Sequence, residues 1–322
     1  MGESSSKKEN NKLKTIAFLG ILAVLIIAAS LAVSPRYGEV YDISKTDRKR
    51  LALEKEKKNS IDVVFAGDSV VYRAISPLQI YNDYGFSSYD LSDSALRLCD
   101  AASMIETAYE NQTPSLIVLE TDALFTDASP HRDRYAIPTN FLEDIFPIFH
   151  YHVFYKTYLP DFATESATAK LHDLLKGFEY TDSVIAYEDT VDYMNEGPSR
   201  ARLDKESLEY LEEINAFAKE KNAEFLLLTV PRPAGWNKAR HDAVENWAED
   251  NDIKYLDLNI EDIGIDWETD TMDAGDHMSF EGSKKVSNYL GKYISENYTM
   301  EDHRGDPDFD SWTESYREAG IY

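Results

Sequence analysis

The chain is nearly devoid of cysteine. Cys99 stands alone among 322 residues, so no intramolecular disulfide can form. An exported protein without disulfides fits a bacterial surface better than an animal secretory route. Positive charge is also scarce: 33 Lys/Arg face 59 Asp/Glu, for a net charge of −26. The shortage is uneven. Residues 1–60 hold 12 Lys/Arg and 7 Asp/Glu, net +5, which leaves 21 against 52, or −31, for the remainder. Such a field repels polyanions, so nucleic acid is not an expected partner. It serves solubility, or it reflects a neutral or cationic substrate. Internal repeats are absent, as is a glycine loop able to cradle phosphate. The pair His150-Tyr151-His152 is wrongly spaced for one helical face and lacks a third ligand. Neither a metal nor a cofactor is expected.

Charge is missing altogether from Thr15 to Pro35, and Ile16 to Val33 is almost wholly apolar. That length approaches the roughly 20 residues that span a bilayer. A core helix of a soluble domain would keep a polar face, and this one has none. Lys7, Lys8, Lys12 and Lys14 precede the run, which favours a cytoplasmic N-terminus and an extracellular remainder on a single-pass anchor. A cleaved signal peptide is the rival, because Ala28-Ala29-Ser30 and Ser30-Leu31-Ala32 are small enough for a peptidase. The expected organisation is a cytoplasmic tail (1–14), a transmembrane anchor (15–35), a polar, basic, helical stalk (36–60), one large domain (61–300) and a polar C-terminal tail (301–322).

Within the domain, short apolar runs alternate with amphipathic stretches. Ile61–Ala66, Ser88–Leu91, Leu116–Glu120, Phe225–Val230 and Tyr255–Leu258 read as buried strands. Ser94–Tyr109, Lys205–Lys221, Trp236–Glu249 and Glu281–Asn297 read as helices; the second repeats Leu208, Leu211, Ile214, Phe217 and Ala218 at three- and four-residue spacing. Strand–helix alternation predicts an α/β fold with a parallel central sheet covered on both faces. Residues 123–202 break the rhythm and read as an insert. Its aromatic stretch, Phe141 to Phe162, is either a docking face, a cleft wall or a pair of core-packing helices.

Ser69 ends the first strand of the domain behind Gly67-Asp68. Ligands of an open α/β sheet bind at the carboxyl ends of its strands. A serine hydroxyl needs a base to take its proton. Among seven histidines, His131, His150, His152 and His172 fall in the insert, His241 in a helix and His303 in the tail. His277 lies in a polar loop before the last helix, from which a final βα connection can return to the first strand. Asp273 or Asp276 would orient it. Arg73, one helical turn beyond Ser69, either contacts substrate or pairs with a surface acid. In Pro231–Asn237, Arg232, Trp236 and Asn237 either line a sugar cleft or, for Trp236, staple the start of a helix.

Two segments carry a family resemblance. VVFAGDSVVYRAISP resembles the first block of SGNH/GDSL hydrolases, with Ser69 as nucleophile, and DTMDAGDHMSFEGSKKVSNYLGKYI resembles the last block. The nearest likeness is to membrane-anchored bacterial proteins that work beside MBOAT-type acyltransferases. These include the D protein of teichoic-acid D-alanylation and the proteins that acetylate exopolysaccharides. Gly67 to Pro77 with Tyr84-Gly85 match that group's opening. The resemblance implies a three-layer, flavodoxin-like SGNH fold and a serine O-acyltransferase or esterase. It also implies an MBOAT-type membrane partner and a cell-envelope or exported polysaccharide as acceptor. A lipid esterase and a catalytically weak scaffold in such a complex are the alternatives.

The pattern departs from the family in three places. The usual acid, three residues before the histidine, is replaced by Ala274, which leaves Asp273 first and Asp276 in reserve. The family's second-block glycine and its third-block asparagine, which helps form the oxyanion hole, are missing from YDLSDSALR and VLETDALF. Asp68, Ser92 and the backbone of Ser69 are the remaining candidates around the oxyanion, because Asp122 can only accept hydrogen bonds when ionised. Losing one donor costs about 10²–10³ in rate, which favours transfer to a particular acceptor over free hydrolysis.

Overall fold

The computed structural model describes residues 2–33, 45–125, 146, 148, 174–189, 192–195, 197, 198 and 200–322. Most of the insert, with its aromatic stretch and His131, His150, His152 and His172, lies outside the described residues. The chain divides into two compact units, residues 1–43 with 129–165, and residues 44–128 with 166–322. The first contains helix α1 (Gly2–Val33), whose segment Asn11–Leu31 has a mean hydropathy of 2.3 and is long and apolar enough to cross a membrane. A signal sequence would have the same character.

The second unit is built on five parallel strands in the order β2-β1-β3-β4-β5. They are β1 (Val63–Ala66), β2 (Ser88–Asp90), β3 (Leu116–Glu120), β4 (Glu224–Thr229) and β5 (Lys254–Asp257). This is the flavodoxin-like order. Every residue of β1, β2 and β3 is buried, as expected of strands covered on both faces.

After β1 come α3 (Ser69–Ala74) and α4 (Pro77–Tyr84), numbered from α2 (Lys45–Leu53), which precedes the sheet. Then follow α5 (Leu98–Ala108), α6 (Lys205–Lys221), α7 (Lys238–Asp250) and α8 (Phe280–Asn297). The starts of the last three are set by side chains that satisfy orphan amides: Asp204, Asn237 and Ser279. One side of the sheet carries α3, α4 and α8, and its core joins Phe65 and Val118 to Val286, Leu290 and Ile294. On the other, α5 packs against α6 and α2. Three layers result, and the strand order reverses between β1 and β3. A crevice forms at the carboxyl end of such a reversal, the position of Ser69.

Two segments expected outside the domain are packed into it. The stalk contributes α2, where Lys49, Leu51, Ala52 and Leu53 are buried. The C-terminal tail forms α9 (Asp310–Ala319) against α4, with Trp312 buried and tilted on Tyr81 at 5.3 Å between centroids. His303 stacks on Phe309 and meets Asp62 Oδ2 at 2.9 Å. Leu51, Ala52 and Leu53 of the first segment and Phe309 and Trp312 of the second are buried, and the charged composition around them hides this in a sequence average.

Candidate active site

The strand β1 must turn sharply to start α3, and Gly67 makes this possible. Its φ is +155°, and an added Cβ would lie 2.7 Å from Val71 Cγ2 and 2.8 Å from Glu120 Cβ. Asp68 then caps α3 by accepting the Val70 amide at 2.9 Å. Ser69 is the first helical residue and is half-buried, at the carboxyl end of β1.

The last loop supplies the partner. Ser69 Oγ lies 2.7 Å from His277 Nε2, and His277 Nδ1 lies 2.6 Å from Asp273 Oδ2. The backbone explains how an acid four residues back reaches the ring. Thr271 pairs with Met278, and between them Ala274 and Gly275 both take positive φ, +60° and +88°. This tight turn lets Asp273 Oδ1 accept the His277 amide at 2.7 Å while Oδ2 holds the ring. Thr271 Oγ1 accepts the Gly275 amide at 2.6 Å. A strap from the end of the insert fixes the loop further: the Ala274 amide donates to the Ile185 carbonyl, and the Ile185 amide to that of Thr271.

Asp276 stands farther from the ring, 3.6 Å from Nδ1, and is turned to Arg232, whose Nε donates to Oδ1 at 2.7 Å. The other arm of Arg232 reaches Asp122, which Arg240 also contacts at 3.1 Å. The guanidinium therefore ties the histidine loop to the loop after β3. Ligand atoms of Asp273, Asp276 and His277 lie within 4.8 Å of one another. Both ring nitrogens and Asp276 are already engaged by Ser69, Asp273 and Arg232, an arrangement suited to proton transfer.

Beneath the serine is a group of buried acids. Burial, then the charge of Asp122, pushes Asp68 up to about 6. Burial, then Asp68 and Asp122, holds Glu120 well above the carboxylate range, with its Oε2 accepting the Asp122 amide at 2.8 Å. Arg232 stays charged: burial opposes this, but Asp122 and Asp276 outweigh it.

The remaining sequence candidates fall elsewhere. Trp236 is not a cleft wall. It is 3% exposed, its Nε1 donates to Asp257 Oδ2 at 2.9 Å, and its ring meets Phe125 edge-on. Asn237 accepts the Arg240 amide at 3.1 Å as the cap of α7, so its side-chain oxygen is occupied. Arg73 bonds the Glu179 carbonyl at 2.8 Å and its carboxylate at 3.2 Å, anchoring the far end of the insert. Ser92 does not offer its donors outward: both amide and hydroxyl go to Asp90 Oδ1, at 2.7 and 2.5 Å. The sequence singled out Arg232 only as a cleft residue, and neither Asp90 nor Glu120 was foreseen in this role. Each is a charged residue at a strand end or loop start, the one local signal that marks them.

No family model and no curated protein matches the chain. Among solved structures, it is similar to a GDSL-like lipase from Bacteroides thetaiotaomicron VPI-5482 (12% identity, 79% of this chain and 100% of that one, TM-score 0.38). It is also similar to a family 3 carbohydrate esterase from Clostridium thermocellum (11% identity, 73% of this chain and 96% of that one, TM-score 0.35). At such identities and scores, any assignment of chemistry stands on the residues themselves.

Proposed function

We propose that this protein is an SGNH-type serine esterase or O-acyltransferase, with Ser69 as nucleophile, His277 as base and Asp273 as orienting acid. The relay from Ser69 through His277 to Asp273, at 2.7 and 2.6 Å, carries the reading. His277 Nε2 takes the Ser69 proton as Oγ attacks an ester carbonyl. The tetrahedral intermediate collapses to an acyl-serine, and the imidazolium returns the proton to the departing alcohol. A second alcohol, or water, then gives its proton to His277 and attacks the acyl-serine, and the imidazolium returns that proton to Ser69 Oγ as its ester bond breaks. Asp273 stabilises the imidazolium in both halves and fixes Nδ1–H as the outer proton.

In the proposed setting the domain stands outside the membrane, held by α1. The acyl group is acetyl, the acceptor a hydroxyl of an envelope or exported polysaccharide, and an MBOAT-type multi-pass acyltransferase is the source. The apolar span and the family resemblance of the two sequence blocks support this setting. Ser69→Ala is expected to abolish labelling by a fluorophosphonate and turnover of an acetyl ester probe. Undiminished labelling or turnover in that variant would overturn the assignment.

A second reading, a catalytically weak scaffold of an acylation complex, is favoured by one observation. Ser92 spends its donors on Asp90, and the position expected to hold an asparagine donor is Asp122, an acceptor bound to two arginines. A folded wild-type domain inert to both probes, yet retained by a membrane acyltransferase, would select it.

A further inference from the structure

The chain leaving the insert crosses from the helix of Ser69 to the loop of His277. At one end the Glu179 amide donates to the Tyr72 carbonyl of α3 at 2.9 Å, and Arg73 of the same helix donates to the Glu179 and Tyr180 carbonyls at 2.8 and 3.3 Å. At the other end Ser183 Oγ donates to the Met272 carbonyl at 3.1 Å. The Ile185 amide donates to that of Thr271 at 3.1 Å, and the Tyr187 amide to that of Trp267 at 2.9 Å. Residues 179–187 therefore bind both elements that carry the Ser69–His277 pair.

The histidine loop needs support at its tip. Bonds inside the loop close its ends: the Met272 amide and Thr271 Oγ1 both donate to the His277 carbonyl. At the tip Ala274 takes φ +60°, a region that costs a residue with a Cβ and persists only when its surroundings impose it. The imposing groups come from outside. The Ala274 amide donates to the Ile185 carbonyl at 2.9 Å, and the Gly275 carbonyl accepts the Ala234 amide at 3.1 Å. Gly275 is enclosed by side chains: an added Cβ would lie 2.7 Å from Pro233 Cγ and 2.9 Å from Tyr187 Cδ2. The Tyr187 ring is in turn packed edge-on against Trp267, 6.1 Å between centroids. With both tip residues at positive φ, Asp273 reaches the His277 amide and Nδ1 together from four residues back.

We propose that Tyr187 is a positioning residue of the catalytic centre, a role that rests on the reading of Ser69 as nucleophile and His277 as base. Its ring, with the Ile185 carbonyl two residues earlier, holds the Ala274–Gly275 turn and thereby aims Asp273 at His277. The contact is made by ring carbons, Cδ2 and Cγ, so the hydroxyl is dispensable. Without the ring, the turn relaxes toward ordinary negative φ, and the Asp273 carboxylate no longer spans both amide and imidazole. The end of the insert is then part of the active-site architecture, and it supports the unusual spacing of acid and base.

The test compares the full-length wild type with Tyr187→Ala, Tyr187→Phe, Asp273→Asn and the Tyr187→Ala/Asp273→Asn double variant. Turnover of an acetyl ester probe and fluorophosphonate labelling are read well below each melting temperature. Tyr187→Ala is expected to lower kcat by on the order of 10- to 100-fold with KM little changed. Tyr187→Phe, which keeps the ring, should regain most of the wild-type kcat. Because the ring acts through the acid, adding Tyr187→Ala to Asp273→Asn should cost less than about threefold more. A merely structural role would lower the rate equally in both backgrounds. Wild-type kcat in Tyr187→Ala, a Tyr187→Phe as slow as Tyr187→Ala, or a further loss of about tenfold in the double variant overturns the role of Tyr187 alone. If Tyr187→Ala does not fold, Tyr187→Leu replaces it in both backgrounds and the same outcomes decide. A folded wild type that neither probe detects overturns the Ser69 assignment, and the role of Tyr187 with it.

Discussion

Among the described residues three histidines meet an aspartate, and of the two pairs that join a loop or helix to a strand end only one also meets a serine hydroxyl. His277 meets Asp273 at 2.6 Å, and His241 meets Asp257 at 2.8 Å. By distance alone they are alike. Their outer nitrogens differ: His277 Nε2 lies against Ser69 Oγ, whereas that of His241 lies 3.5 Å from Glu245 on the same helix. Their acids differ as well. Asp273 serves the histidine by ring and amide. Asp257 also takes Trp236, Tyr255 and Asn259, and Tyr255 continues to Thr229 and Thr121. The hydrogen bond to Asp257 raises the His241 pKa, with burial opposing. The second pair is a polar staple that joins α7 to the ends of β4 and β5. A His–Asp pair becomes a base only when the free nitrogen is aimed at a group that must lose a proton.

The largest effect should come from taking the acid away from His277. Asp273→Asn is expected to lower kcat by about 10²–10⁴, because an amide favours the wrong tautomer and does not offset the imidazolium. Asp276→Asn, whose partner is Arg232, should cost no more than about tenfold, read by ester-probe kinetics. Equal losses in the two variants would break the assignment of Asp273.

The second pair gives the contrast in stability. His241→Leu leaves the donors of Trp236 and Asn259 on Asp257 but removes one partner of a buried carboxylate. A loss on the order of 1–3 kcal/mol is expected in denaturant unfolding, with kcat unchanged below the transition. A fall in kcat of tenfold or more would show that the two pairs are coupled.

The smallest effect concerns the acids beneath Ser69. Asp68 titrates near 6 in the fold and near 4 in the unfolded chain, so between those values the native state binds the extra proton. Its contribution therefore declines as pH rises from about 4 to 6 and stays lost above. Asp68→Asn keeps the cap, since Asn serves that position as well as Asp. The variant should melt higher than wild type at pH 7.5, by on the order of 1–2 kcal/mol of stability, with the gap closing toward pH 4. A gap that widens on acidification would contradict the buried, proton-holding site.

Much of this was legible in the chain. The five strands and the helices α6 and α8 lie within a residue or two of their apolar periodicity, because a covered parallel strand and an amphipathic helix leave their burial in local spacing. That Ser69 and His277 could meet was visible for the same reason: each lies at the end of an unmistakable element, and the fold brings them to 2.7 Å. The choice of Asp273 followed from the missing acid at Ala274, and the two positive-φ residues show why a four-residue step reaches the ring. Local spacing was silent where a contact spans the sheet. Trp236 read equally as a sugar platform or a staple for its helix, because neighbouring residues cannot reveal that Asp257 accepts its N–H. Lys49 sat in the basic run Arg48-Lys49-Arg50 and read as solvated, because its partner Asp90 is 41 residues away. Sequence thus determined which elements form and which side chains stand at their ends as candidates for chemistry. Tertiary structure alone decided which charges meet, since the energy of a buried charge is set by what surrounds it in space rather than along the chain.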